Sequence, residues 1–212
     1  MHIIPCLLFC YLMGSIPFSL VIGKLFFKKD VREYGSKNLG GTNTGRVLGK
    51  PAGFAVMVLD QVKAALAILL VTLYMKHFSP DLVNLAIYLS SACVVLGHCY
   101  PVFANFKGGK AVACTFGILF ITNIYIYLIT LLSYVIILKC TKYVSFSSII
   151  VFYISACLAF IPFFRTSPFL NLTFGIFYPL VIIALATFVV VKHKANIKRL
   201  QSGTESKIKW MK

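Results

Sequence analysis

Ala111 to Leu138 reads AVACTFGILFITNIYIYLITLLSYVIIL, 28 residues without a charge. A transmembrane helix needs about 20 apolar residues, so the run is long for one crossing and short for two of ordinary length. Its one amide, Asn123 after Thr122, falls near the middle. Whether this stretch crosses once or twice decides on which side of a membrane the rest of the chain lies.

The composition makes a membrane the right frame. The chain has 212 residues, 59% of them hydrophobic and 12% charged, with a mean hydropathy of +0.90. Such values belong to polytopic membrane proteins. Lys and Arg number 21 against five acids, Asp30, Glu33, Asp60, Asp81 and Glu205. A nucleic-acid binder can be this basic, but it does not distribute its cations between apolar runs of span length, so no nucleic-acid partner is expected. The seven cysteines lie in apolar stretches without Cys-x-x-Cys spacing, which reads as small buried hydrophobes rather than metal ligands or disulfides. Met1 is followed directly by apolar residues with no basic leader region, so the first span is expected to stay.

The remaining spans are Ile3 to Leu25, interrupted by Gly14-Ser15-Ile16-Pro17, then Ala52 to Tyr74, Leu82 to Leu96, Val144 to Phe164 and Leu170 to Val191. Cations by connection run seven in Lys24–Lys50, one at Lys76, two at Lys107 and Lys110, two at Lys139 and Lys142, one at Arg165 and seven in Lys192–Lys212. Cytoplasmic connections carry the excess, so the first loop and the tail belong on one side, and Ala111–Leu138 must supply an even number of crossings. A turn near Thr122-Asn123 gives two short helices. The expectation is an all-α polytopic membrane protein with seven transmembrane helices, two of them short, its N-terminus outside and its C-terminus cytoplasmic. It forms a single membrane domain, residues 1–212, with cytoplasmic loops 28–50, 97–110 and 192–212.

Three polar segments fall on that cytoplasmic face. Gly35 to Arg46 holds four glycines, three hydroxyls, two amides and two cations. Glycines admit close backbone approach and an Arg fork suits phosphate, although such a loop also serves as a plain connector. Gly97 to Lys110 ends in Gly108-Gly109-Lys110 before an apolar helix, where amides and an ammonium can cradle an anion. It lacks the spacing of a nucleotide P-loop. The tail from His193 to Lys207 sets His193 and Asn196 at helical spacing, or is a basic segment attracted to anionic lipid. Beside it, the hydroxyls of Ser145 and Ser148 either line a site or bond back to helix carbonyls. Within the second span Asp60 and Lys63 stand i,i+3 and can pair, for structure or for function.

Together these segments resemble the bacterial PlsY family, membrane glycerol-3-phosphate acyltransferases that use acyl phosphate. Gly14 to Pro17 with Gly35 to Arg46 is similar to its first motif, Gly97 to Lys110 to its second and His193 to Lys207 to its third. The family usually has Gly at the position of Lys37, Ala at Gly41 and Gly at Ala111.

The resemblance implies transfer of a fatty acyl group from acyl phosphate to the 1-hydroxyl of glycerol 3-phosphate, giving lysophosphatidic acid and phosphate. It implies a multi-pass protein of the bacterial inner membrane with a cytoplasmic site, taken here as a monomer among membrane lipids and without cofactor or metal. Ser36, His193 and Lys110 are the implied catalytic residues. Arg46, Asn38, Asn43, Gly108, Gly109, Ser145, Ser148 and Asn196 are the implied substrate ligands, with Glu205 and Gly40 structural. An acyl phosphate is already activated, so the missing Ser-His-Asp or Gly-x-Ser-x-Gly context is no obstacle.

Rival readings fit less well. His-x-x-x-x-Asp, the base pair of another acyltransferase class, is not present, His77 and Asp81 being one residue too close. Metal-dependent lipid enzymes need paired acids that five dispersed carboxylates do not provide. A phosphate or organic-anion transporter would place its polar groups near the midplane rather than at one face. A reporter fused at Asn123 should read out as non-cytoplasmic; a cytoplasmic signal there removes the hairpin and with it the seven-helix count.

Overall fold

The computed structural model describes residues 2–208, so Lys209 and Lys212 of the cation tally lie outside the described residues. Helices dominate, and the chain divides into two compact units, Met1–Ile118 and Leu119–Lys212.

In the first unit the opening span is two helices, α1 (Ile3–Ser15) and α2 (Phe18–Phe27). The break follows from Pro17, which lacks an N–H and pushes the preceding residue out of helical conformation: Ile16 is extended, with ψ 113°. The short α3 (Gly41–Leu48) packs on α4 (Lys50–Phe78), which has Pro51 in its first turn. Helix α5 (Val83–Cys99) lies against α1 and α4. The α1–α5 crossing is close enough that a Cβ on Gly14 would run into the Val94 carbonyl and one on Gly97 into that of Tyr11. Leu20, Val31, Leu39 and Ala104 form a small core with Val47 and Leu48. That core brings the loops after α2 and α5 to the same end of the unit. Toward the other end of α4, His2 bonds Tyr74 at 2.8 Å and stacks on Phe78.

Helix α6 (Val112–Thr122) carries the chain from the first unit into the second, where α7 (Ile124–Thr141) follows after one residue. That residue is Asn123, extended at φ −155° and ψ 105°, whose Oδ1 caps α7 by accepting from the Ile126 N–H. Its Nδ2 donates to the carbonyls of Phe164 and Thr166, at 3.0 and 2.7 Å. The break in the long apolar run therefore falls where the sequence placed it. Helix α8 (Val144–Phe160) packs against α7 and α9 (Phe177–Lys192), and α10 (Lys194–Gln201) against both α8 and α9. Asn123 and Arg165 share one end of this unit, while the Ile208 N–H reaches the Lys142 carbonyl at the other.

Two segments differ from expectation. The span from Val144 ends at Phe160 rather than Phe164, followed by a 3-10 turn at Pro162–Arg165. The last span starts at Phe177 rather than Leu170, because residues 166–173 fold into a hairpin in which β1 (Thr166–Ser167) pairs antiparallel with β2 (Leu172–Thr173), Thr166 opposite Thr173. Pro168 and a left-handed Asn171, φ 47°, make its turn. Among the described residues, four helical segments can cross a membrane by length and apolarity, or five when the pair α9 and α10, bent by 62°, counts as one. Helices α6 and α8 are apolar but shorter. The fold is that of a multi-pass helical membrane protein.

Lys37 and Ala111, where the resembled family has glycine, both sit in the left-handed region at φ 58° and 62°. For an L-residue this costs roughly 1–2 kcal/mol. Ala111→Gly should therefore raise stability by about 1 kcal/mol, the gain being trimmed by glycine's freer unfolded chain. Thermal unfolding in detergent measures it, and a lower midpoint would mean that packing of the buried Ala111 methyl outweighs the backbone strain.

Candidate active site

The first polar loop is built on Asn43. This buried amide accepts from the Ser36 N–H at 2.8 Å and donates to the carbonyls of Val31 and Tyr34 at 3.0 and 3.2 Å. Asn43 thus differs from its expected role as a substrate ligand: both ends of its amide are engaged with backbone, which makes it the holder of the loop. Its partners leave Ser36 and Arg46 exposed and Asn38 half-buried. Gly40 precedes α3 in extended conformation, its carbonyl sharing the Thr44 hydroxyl with Ser19. A Cβ on Gly41 would run into Met57, so the alanine usual in the family would not fit without a shift. Upstream, hydrogen bonds from the Arg32 guanidinium hold the Asp30 carboxyl down to about 2, despite some burial.

The second loop leaves α5 through Val102–Ala104 and the left-handed Asn105 and Phe106. It closes so that the peptide between Gly108 and Gly109 is held from both sides. The Gly108 carbonyl accepts from Leu39 N–H at 3.4 Å, and the Gly109 N–H donates to the His98 carbonyl at 3.0 Å. This corrects the expectation that the Gly109 amide meets an anion, since that donor is already taken. The Leu39 contact joins the two loops, bringing Ser36, Asn38 and Arg46 to the same end of the unit as Gly108 and the half-buried Lys110. Chemically this end offers a guanidinium, an ammonium, a hydroxyl and glycine backbone, a set suited to phosphate esters.

Asp60, His98 and Cys114 present ligand atoms within 4.8 Å of one another. Lys63, however, sets its ammonium 2.7 Å from Asp60 Oδ1, so a positive charge already stands where a metal would bind. The ammonium, not the choice of donors, is what disfavours an ion at this place.

In the second unit, Glu205 gathers the tail. Its Oε1 accepts from Ser145 Oγ at 2.8 Å and Asn196 Nδ2 at 2.7 Å, and its Oε2 pairs with Arg199 Nε at 2.7 Å. Ser148 donates to the carbonyl of Val144 one turn back, so its hydroxyl serves the helix. The buried His193 sets Nδ1 at 2.7 Å from the Val189 carbonyl, which places the ring proton on Nδ1 when the ring is neutral. Burial pushes the Glu205 carboxyl up, but its bonds from Asn196, Ser145 and Arg199 outweigh this and hold it below the usual glutamate range.

Sequence reasoning passed over His98 as a structural element of the loop. The signal was there in its place directly after Gly97 and ten residues before Gly108, but nothing local ties it to Lys63.

Fold and side chains thus define an integral membrane protein equipped to bind phosphorylated compounds. Comparison with known proteins narrows this. The family model for glycerol-3-phosphate acyltransferase matches residues 4–203. The chain is 44% identical to the glycerol-3-phosphate acyltransferase of Enterococcus faecalis over 210 residues, covering 98% of this chain and 93% of that protein. It is 42% identical to that of Listeria welshimeri over 205 residues, covering 96% of each. Crystal structures of PlsY (YgiH), an integral membrane glycerol 3-phosphate acyltransferase, are similar with a TM-score of 0.85 for the glycerol 3-phosphate form and 0.83 for the lysophosphatidic acid form. These share 31% identity over 99% of this chain and 96% of that one. The chain belongs to the glycerol-3-phosphate acyltransferase family.

Because the Glu205 carboxyl is held low in the fold, its contribution to the tail is complete at neutral pH and disappears as acid protonates it. Protease resistance of the tail should therefore hold from pH 7 down to about pH 4 and fall below it. In Glu205→Gln it should be weaker at pH 7 and should not fall further below about pH 4; the same acid-dependent fall in the variant would remove Glu205 as the clasp.

Proposed function

We propose that this protein transfers a fatty acyl group from an acyl phosphate to the 1-hydroxyl of glycerol 3-phosphate, forming lysophosphatidic acid and inorganic phosphate. The observation that carries this reading is its likeness, at a TM-score of 0.85, to a structure described as the glycerol 3-phosphate form of PlsY. The related form holds lysophosphatidic acid, the product of that acylation. We place the reaction at the cytoplasmic face of a bacterial inner membrane, in a seven-helix monomer with its N-terminus outside. The cation tally supports this orientation, as does the gathering of the basic loops at one end of each unit.

The hydroxyl oxygen of glycerol 3-phosphate attacks the acyl carbonyl carbon, the new ester bond forms, and the bond from that carbon to the phosphate oxygen breaks. The hydroxyl proton leaves with the phosphate or passes to His193. The protein's task is then to position two anions and to stabilise the developing oxyanion. Gly108 and Lys110 are assigned to the phosphate of the acyl donor, with Gly109 anchoring their loop. Arg46 and Asn38 are assigned to glycerol 3-phosphate, and Ser36 to orienting the reacting groups. For the second unit, Asn196 is assigned to glycerol 3-phosphate and His193 to phosphate or proton transfer, with Ser145 and Glu205 holding Asn196 in place. No cofactor enters this scheme.

Purified protein in lipid should form lysophosphatidic acid from glycerol 3-phosphate with palmitoyl phosphate and not with palmitoyl-CoA. Arg46→Ala should slow the reaction about tenfold or more, since a charge-assisted bidentate contact contributes about 1.5–3 kcal/mol. No product from either donor, together with phosphate uptake into vesicles, would instead favour an anion transporter.

A further inference from the structure

A buried ionic cluster in the first unit touches the glycine loop but has no part in the scheme above. Asp60, Lys63 and His98 are 2%, 3% and 7% exposed. The Lys63 ammonium lies 2.7 Å from Asp60 Oδ1, 2.7 Å from the Ile16 carbonyl and 3.2 Å from His98 Nδ1. An ammonium has three donors, and here each has one acceptor. His98 Nδ1 also lies 3.6 Å from Asp60 Oδ1; with the ammonium donating to it, Nδ1 is the acceptor and the neutral ring carries its proton on Nε2. That nitrogen is the atom a Cβ on Gly109 would strike, and a Cβ on Gly108 would strike the His98 carbonyl. The same carbonyl accepts the Gly109 N–H. The Cys114 thiol, four residues past Lys110, donates to the Asp60 carbonyl at 3.4 Å, so the cluster also grips the helix that follows the loop.

Stability alone does not account for such an arrangement. A buried ion pair is often replaceable by apolar groups of similar volume without loss of stability, and in a membrane segment ionisable groups mark function by default. What the cluster fixes is the position of the His98 ring and main chain, and both glycines lie directly on His98. We propose that Asp60, Lys63 and His98 are positioning residues for the acyl-phosphate loop: Lys63, held by Asp60 and by the carbonyl freed at Pro17, locks His98, and His98 sets the Gly108–Gly109 peptide that presents Lys110. This rests on the assignment of that loop to the acyl donor.

The test uses full-length protein in lipid and three changes: His98→Leu, His98→Asn, whose amide can replace the Nδ1 acceptor, and the charge-neutral double change Asp60→Asn with Lys63→Gln. In His98→Leu and the double variant, KM for palmitoyl phosphate should rise about tenfold or more while KM for glycerol 3-phosphate stays within about twofold. His98→Asn should recover to within about threefold of the wild type. Both KM values rising alike, or neither changing, would overturn the proposal. Recovery of no folded protein from any variant would overturn it too, by assigning the cluster to folding. Should wild-type protein make no product from palmitoyl phosphate, the acyltransferase reading fails, and amide exchange at Gly108 to Lys110 still reads the cluster. Faster exchange in His98→Leu and in the double variant is expected there, and unchanged rates would overturn it.

Discussion

Within a bilayer there is no water to satisfy a stray carbonyl or to solvate an ammonium, and the first unit answers both demands with one contact. Pro17 breaks the opening span and leaves the Ile16 carbonyl without a helical partner. Lys63 brings an ammonium into an apolar helix that cannot hold one unpaired. Each is the other's partner, 2.7 Å apart. Remove the proline break and the lysine keeps Asp60 and His98 but loses one of its three partners; remove the lysine and the broken span lacks a donor. The kink in α1–α2, the α4 pair and the end of α5 are thereby tied to one another by polar contacts rather than by apolar packing alone.

The two units solve the placement of their polar loops in similar ways. In the first, Asn43 satisfies three backbone groups of a loop too rich in glycine to hold its own shape. In the second, Glu205 gathers Ser145, Asn196 and Arg199 from two stretches of chain. Each clasp is a single side chain with two polar ends, fully engaged, which is the condition under which a buried polar group orders its surroundings rather than weakening them. Residues suited to bind substrate, such as Ser36 and Arg46, are then free of structural duty to the extent that these clasps assume it.

Function and stability pull apart at two positions. Lys37 and Ala111 keep a left-handed backbone that the resembled family gives to glycine. The surrounding contacts hold both residues in it: the Lys37 N–H bonds the Tyr34 carbonyl, and the Ala111 carbonyl accepts the first bond of α6 from Thr115. The loop geometry is therefore retained although the residue best suited to it is not.

Much of the architecture was legible in the chain alone, because hydropathy and charge act locally. Apolar runs marked the helices, Pro17 and Asn123 marked the breaks, and the order of three glycine- and cation-bearing segments carried the family resemblance. The hairpin at 166–173 was not legible, since Leu170 and Leu172 run on into the apolar residues of the last span and only the pairing of Thr166 with Thr173 across the turn sets them apart. Nor were the roles of Asn43, Gly109 and His98. Sequence spacing put Asp60 beside Lys63 on one helix face, but only the packing of α5 against α4 brought His98 to the same ammonium. Local chemistry determines which groups a segment can offer; which of them are already engaged by backbone and which face a substrate depends on contacts between residues distant in sequence, and those exist only once the helices have packed.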